Sequence, residues 1–303
     1  MCGIIGYVGE RKAKDILLDS LALLEYRGYD SAGIALSHDE RMSVIKCAGR
    51  VSDLIDKCNG MNTPEDQSMF DSICGIGHTR WATHGEPSET NAHPHISDDY
   101  NVVGVHNGII ENYQELRDKL TRNGYSFYSS TDTEVAVKLI DYYYKKYEHT
   151  PVDAINHAMV RIRGSYAFAI MFKEYPGEIY VARKDSPMIL GVNDGDCYVA
   201  SDVPAILNYT RNVYYIGNME IGRLADGHIT FYNLDGDEIE KELVEIKWDA
   251  KAAEKGGYEH FMMKEIHEQP KAVKDTLNSV LKDGKLDIGL RKTSAVVLRK
   301  LRW

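Results

Sequence analysis

Cys2 is the side chain of this sequence best placed to act as a nucleophile. Removal of Met1 makes it residue one and sets a free α-amine beside its own sulfur. The α-amine has a reference pKa of about 7.7–8.0 and the thiol one of about 8.5, so the pair can exchange a proton near neutral pH. Such a nucleophile needs no catalytic histidine. Taken alone, a cysteine at the start of a strand is more often a buried thiol. Cys47, Cys58, Cys74 and Cys197 are expected to be that, since the odd count and the lack of CxxC spacing give no disulfide framework.

Other residues could serve a reaction at Cys2. Arg80 offers a planar fork that grips a carboxylate in two places, with a surface ion pair as its plainer reading. Asp132 can hold an ammonium group, or share in a helix cap beside Thr131. Asn107-Gly108 supplies a side-chain amide and an unobstructed backbone N–H, the donors a tetrahedral oxyanion needs. The same dipeptide is a strong turn signal. His78, His84, His93, His95 and His106 crowd one stretch without HExxH or paired Cys/His spacing, so they read as solvent-facing or hydrogen-bonded side chains. Neither a metal nor a cofactor is expected.

The pattern predicts the elements that position these residues. Cys2 to Val8 reads as a strand, and apolar spacing between Glu10 and Glu25 as a helix ending before Gly28. Ser31 to Leu36 and Met42 to Cys47 read as paired strands, Val51 to Cys58 as a short helix, and Asn59 to Asp71 as a polar loop. Ile73 to Ile76 and Val102 to Val105 read as buried strands that end in polar clusters. Thr131-x-x-Glu134 is a capping box opening a helix to about Tyr147, and a second helix follows Pro151. From Gly164 to about Lys247 the chain reads as successive strands, giving a layered α/β or α+β domain. Ala250 to Lys282 reads as helical segments broken at Gly256-Gly257 and Pro270.

Composition narrows the function classes. The chain has 303 residues, 43% of them hydrophobic, and a net charge of −10, which favours a small-molecule substrate over nucleic acid or an anionic membrane. No run approaches the roughly 18 apolar residues of a membrane helix, and the start lacks a signal peptide's basic region, so a cytoplasmic protein is expected. Arg291 to Trp303 carry five basic and no acidic residues, leaving the rest at −15.

Five motifs stand in order: Cys2-Gly3-Ile4-Ile5-Gly6, Arg27-Gly28-Tyr29-Asp30-Ser31-Ala32-Gly33, Gly77-His78-Thr79-Arg80-Trp81-Ala82-Thr83-His84-Gly85, His106-Asn107-Gly108 and Ser130-Thr131-Asp132-Thr133-Glu134. Together they resemble the class II glutamine amidotransferases, and within them the glutaminase domain of the fructose-6-phosphate aminotransferase branch. RGYDSAG and NGIIENYQELR stand where asparagine synthetases show RGPD and NGEIYN, and where phosphoribosylpyrophosphate amidotransferases show RGQES.

The resemblance implies an α+β, four-layer αββα N-terminal-nucleophile hydrolase fold over residues 2–247. It implies glutamine hydrolysis to glutamate and ammonia for hexosamine synthesis, with Cys2 as nucleophile and Asn107 and Gly108 as the oxyanion hole. Arg80 and Asp132 would grip the ends of glutamine. Trp81, Thr83 and His84 would form its lid, and Arg27 would orient the chain end. Residues 248–290 are then a linker toward an isomerase half expected to be missing from this chain, so that fructose 6-phosphate would act only through an absent or separate domain. Residues 291–303 match nothing in the family. The alternatives are the glutaminase domain of another class II amidotransferase and a non-catalytic glutamine sensor on the same fold, although a sensor needs neither nucleophile nor oxyanion hole.

Overall fold

The structure is a computed structural model and describes residues 2–38, 41–147, 150–247, 258, 261–282 and 285–286. The unmatched tail and the Gly256-Gly257 break lie outside the described residues. Two compact units divide the chain, Met1–Trp248 and Asp249–Trp303.

In chain order the first unit holds β1 (Gly3–Val8), α1 (Ala13–Leu24), β2 (Ser31–His38), β3 (Arg41–Ala48), α2 (Val51–Gly60), α3 (Pro64–Phe70), β4 (Cys74–Arg80), β5 (His95–Ile96), β6 (Val102–Ile110), α4 (Tyr113–Arg122), α5 (Asp132–Lys146) and α6 (Pro151–Arg161). The strand-rich half follows with β7 (Gly164–Phe172), β8 (Ile179–Lys184), β9 (Ile189–Asn193), β10 (Asp196–Ala200), β11 (Asn212–Tyr215), β12 (Glu220–Ala225), β13 (His228–Tyr232), β14 (Glu238–Ile239) and β15 (Val244–Glu245).

The strands form two sheets, one ordered β15-β11-β9-β10-β1-β4-β2-β3 and the other β14-β13-β12-β8-β7-β6-β5. Alternation along β7 shows how they stack. Ala167, Ala169 and Met171 face the first sheet, in one core with Ile4 and Ile76. Phe168, Ile170 and Phe172 face the other way, into a second core with Val135, Leu139 and Ile140 of α5 and Ile155 of α6. On the opposite side α1 packs on β1 and β4, with Leu17 against Gly75 and Leu21 against Gly77. Helix, sheet, sheet and helix make the expected four-layer α+β fold.

Four local expectations need correction. Residues 59–71 hold helix α3, because Thr63 caps it reciprocally with Asp66 and Pro64 presets its first turn. Helix α4 appears where no helix was expected. At the start of α5 the Thr131 hydroxyl accepts from the Glu134 N–H at 3.2 Å, but the Glu134 carboxylate turns to the N–H groups of Tyr128 and Ser129 and to buried Lys138. The box is therefore half made. In the second unit, α7 (Phe261–Val280) runs through Pro270 without the expected break, and β16 (Leu281–Lys282) pairs with β17 (Lys285–Leu286). No helix among the described residues is long and apolar enough to cross a membrane.

The histidines meet one of the two readings given for them, since His78, His95 and His106 are hydrogen-bonded. His78, His93, His95 and His106 are buried rather than solvent-facing. His78 and His93 lie ring to ring at 4.1 Å, and His93 and His95 at 5.0 Å. Burial lowers the pKa of all four, that of His78 to about 3. Their folded values lie below the unfolded one, so protons bind preferentially to the unfolded chain. Their stabilising effect is therefore full above the unfolded value and fades as pH falls from there toward the folded one. At about pH 5.5 His78 alone should cost about 1.4 kcal/mol relative to neutral pH. Urea unfolding at about pH 7.5 and about pH 5.5 should show this loss, and replacing His78 should reduce it. Equal stability at the two values would mean that the folded and unfolded chains take up protons equally over this range, against the lowered values.

Candidate active site

Cys2 stands one residue ahead of β1, whose Gly3 pairs with Thr79 of β4. The Trp81 N–H, just past the end of β4, donates to Cys2 Sγ at 3.2 Å. A backbone donor on sulfur favours the thiolate, while burial, the larger influence, pushes the thiol pKa up. The Cys2 carbonyl accepts two bonds, from Arg27 Nε at 2.9 Å and from Asn107 Nδ2 at 2.9 Å. Arg27 is itself held by Asp202, whose carboxylate lies 3.0 Å from Nη1 and also accepts from the Tyr26 hydroxyl. Two distant segments thus hold the Cys2 carbonyl, and Asp202 anchors one of them.

Arg80 closes β4 and organises the loop beyond it. Its side chain is buried and donates to the carbonyls of His84, Gly85 and Glu86, with Asp30 at 3.9 Å as counter-charge. Asp30 also accepts from the Ala82 N–H, so the 27–33 loop and the 81–86 loop are built against each other. Gly28 makes that approach possible, since a Cβ there would lie 2.5 Å from the Arg80 carbonyl carbon. The Trp81 ring is exposed and edge-on to Tyr29, and the His84 ring packs on Tyr113.

Asn107 and Gly108 sit inside β6 rather than in a turn, paired with Ala167 and Tyr166 of β7. Gly108 has φ of 131°, and a Cβ would fall 2.1 Å from the Ser165 carbonyl oxygen, so only glycine fits there. Asp132 opens α5 and accepts from the Ile110 N–H at 2.9 Å, which ties the helix start to the end of β6. One cavity is lined by Cys2, Arg80, Trp81, Thr83, His84, Gly108 and Asp132. Asn107 reaches its edge through Cys2, and Arg27 stands behind.

His93, His106, Thr131 and Thr133 line the same cavity without having been selected. Thr131 and Thr133 flank Asp132, so adjacency was an available signal; His106 precedes Asn107, and its Nδ1 lies 3.0 Å from the Thr133 hydroxyl. Asp202 carried no signal, because only the pairing of β10 with β1 brings it near Arg27. A wider groove at the open edge between β3 and β5, lined by Lys46, Asp98 and Tyr128, holds none of the selected residues. Among the described residues no group of three or more His, Cys, Asp or Glu is placed to hold a metal ion.

Comparison with known proteins agrees with this geometry. The family profile of the glutamine amidotransferase domain matches residues 78–208. The glutamine–fructose-6-phosphate aminotransferase (isomerizing) of Clostridium acetobutylicum is 52% identical over 279 residues, covering 92% of this chain and 44% of that protein. The Pyrococcus horikoshii enzyme of the same name is 46% identical over 289 residues, covering 93% of this chain and 46% of its own. The chain therefore spans less than half the length of these curated relatives. Among solved structures, the glutamine phosphoribosylpyrophosphate amidotransferase of B. subtilis matches with a TM-score of 0.64 at 27% identity, over 78% of this chain and 50% of that one. With a cysteine at position 2 heading the central strand of a four-layer fold, and with these relatives, the chain belongs to the class II, N-terminal-nucleophile glutamine amidotransferases.

Proposed function

We propose that this chain hydrolyses glutamine to glutamate and ammonia, with Cys2 as nucleophile once Met1 is removed. The observation that carries the reading is the convergence on Cys2. The Trp81 N–H meets its sulfur, Arg27 and Asn107 hold its carbonyl, and the cavity before it is walled by Arg80 and Asp132. The freed α-amine takes the thiol proton, the thiolate attacks the side-chain amide carbon, and a tetrahedral oxyanion forms. Asn107 Nδ2 carries two hydrogens; one is committed to the Cys2 carbonyl and the other serves the oxyanion together with the Gly108 N–H. Collapse returns the proton to the leaving nitrogen, ammonia departs, and water releases glutamate from the thioester.

Arg80 and Asp132 take the α-carboxylate and α-ammonium of glutamine, opposite charges at the two walls. Arg80 does so with the part of its fork not given to the loop carbonyls, so carboxylate binding and loop shape depend on one side chain. Trp81, Thr83 and His84 form the lid, and Arg27 fixes the chain end without touching glutamine.

The named relatives support a finer assignment, in which this glutaminase feeds ammonia to the amination of fructose 6-phosphate in hexosamine synthesis. Fructose 6-phosphate would then be bound by an isomerase domain outside these 303 residues. The resemblance from Cys2 to about Leu286 supports a cytoplasmic enzyme of that branch. A sensor without chemistry is disfavoured, because binding alone does not call for the convergence on Cys2.

The primary test pairs intact mass with product analysis. Protein that has lost Met1 should release glutamate and ammonia in equal amounts, while Cys2→Ala and protein that keeps Met1 should be inactive. Full activity with Met1 in place would overturn the α-amine as base. Glucosamine 6-phosphate formed from glutamine and fructose 6-phosphate by these 303 residues alone would contradict the assignment of sugar binding elsewhere.

The roles separate kinetically. Arg80→Ala and Asp132→Ala each leave a desolvated charge on the ligand and should cost about 2–5 kcal/mol in kcat/KM, mostly through KM. Asn107→Ala removes a donor aimed at developing charge and should lower kcat by about 10²–10³-fold with KM nearly unchanged. Similar KM effects from all three would contradict the roles.

A further inference from the structure

Asn107 can serve an oxyanion only with its nitrogen toward Cys2. An amide side chain is nearly symmetric in shape, and rotation by half a turn would present its oxygen to the developing negative charge. Something must decide between the two orientations. The Cys2 carbonyl at 2.9 Å from Nδ2 favours one. At the other end, His78 Nε2 lies 3.0 Å from Asn107 Oδ1 and 3.1 Å from the His106 carbonyl oxygen.

Both groups facing His78 Nε2 are acceptors, since a backbone carbonyl cannot donate and Oδ1 is the amide's oxygen end. Nε2 must therefore carry the hydrogen, and Nδ1, which has no hydrogen-bond partner, is left bare. The two contacts grip the side chain of Asn107 and the peptide unit that precedes it. His78 is fully buried between the sheets, with His93 across its face, so the ring has no room to swing away. It does not line the cavity, and so it touches no substrate.

We infer that His78 is a positioning residue for glutamine hydrolysis, a neutral Nε2–H imidazole that locks the Asn107 amide with its nitrogen toward the oxyanion. The inference rests on the glutaminase reading and on the role given there to Asn107. Burial fits it, because a ring whose pKa is lowered to about 3 stays neutral across the working range and keeps one defined tautomer.

The test uses the Met1-processed chain with His78→Phe, His78→Leu and His78→Gln, each alone and with Asn107→Ala. Phe and Leu remove the donor, and Gln retains one at similar reach. His78→Phe should lower kcat about 10–10²-fold with KM nearly unchanged, and His78→Gln should restore most of it. In the Asn107→Ala background His78→Phe should have almost no further effect, since nothing is left to aim. Alkylation of Cys2 by iodoacetamide, which forms no oxyanion, should keep its normal rate in the folded variants that change His78 alone.

Independent, multiplicative losses from His78→Phe and Asn107→Ala, or a parallel loss of alkylation, would overturn the proposal in favour of a packing role. Wild-type turnover in His78→Phe beside a slow Asn107→Ala would overturn it too while leaving the glutaminase reading intact. Normal turnover in Asn107→Ala would instead remove the reading on which it rests. Where His78→Phe does not fold, His78→Leu takes its place. Where neither folds, the Gln variant decides, with near-normal kcat in support and a kcat as low as that of Asn107→Ala against.

Discussion

The carbonyl of Cys2 is the atom on which the site depends. A residue at the end of a chain has only one flanking peptide unit to restrain it, so its backbone must be held from outside. Arg27 and Asn107 both donate to that single oxygen at 2.9 Å, and Gly3 ties the next residue into the central strand against Thr79. Each donor is anchored in turn, Arg27 by Asp202 at the end of β10 and Asn107 by His78 on β4. Strands on either side of β1 in the same sheet therefore carry the positioning, and β6 of the facing sheet brings in Asn107, the donor proposed for the oxyanion. Replacing a solvated, mobile chain end by a fixed one is how such an arrangement lowers a barrier before any chemistry begins.

The same architecture explains why charge is concentrated at the cavity. Arg80 is buried and offset by Asp30 and by the carbonyls of the loop it gathers, which leaves a cation in place at one wall. Asp132 sits in the first turn of α5, where its bond to the Ile110 N–H holds it against β6. The four buried histidines between these groups are neutral, so they add hydrogen-bonding shape to the seam without competing for the ligand's charges.

Much of this was legible in the residues, for identifiable reasons. Strand alternation and the apolar spacing of α1 and α5 report periodicity directly, and Cys2, Arg80 and Asp132 converge because their motifs lie at strand ends or a helix start. What the residues concealed is mostly nonlocal. Asn-Gly favours a turn in isolation, but pairing with β7 keeps Asn107-Gly108 extended and uses the glycine for a close approach to Ser165. Glu134 looked like the second half of a capping box, yet buried Lys138 and the turn at Tyr128 and Ser129 compete for its carboxylate and win. That the hydrogen-bonded histidines are also buried is nonlocal, because polarity is a poor guide to burial where two sheets share a polar seam. Helix α3 is the exception, since its Thr63-Pro64-Glu65-Asp66 start is a local signal of a helix.

The central claim is that Cys2 forms a covalent bond to the side-chain carbonyl carbon of glutamine. Rapid acid quench of the Met1-processed chain during turnover, followed by peptide mass analysis, tests it most directly. The account predicts one γ-glutamyl group on the peptide that begins with Cys2, lost on further incubation before the quench once glutamine is exhausted. Turnover with that peptide unmodified and the acyl group on Cys47, Cys58, Cys74 or Cys197 would contradict it.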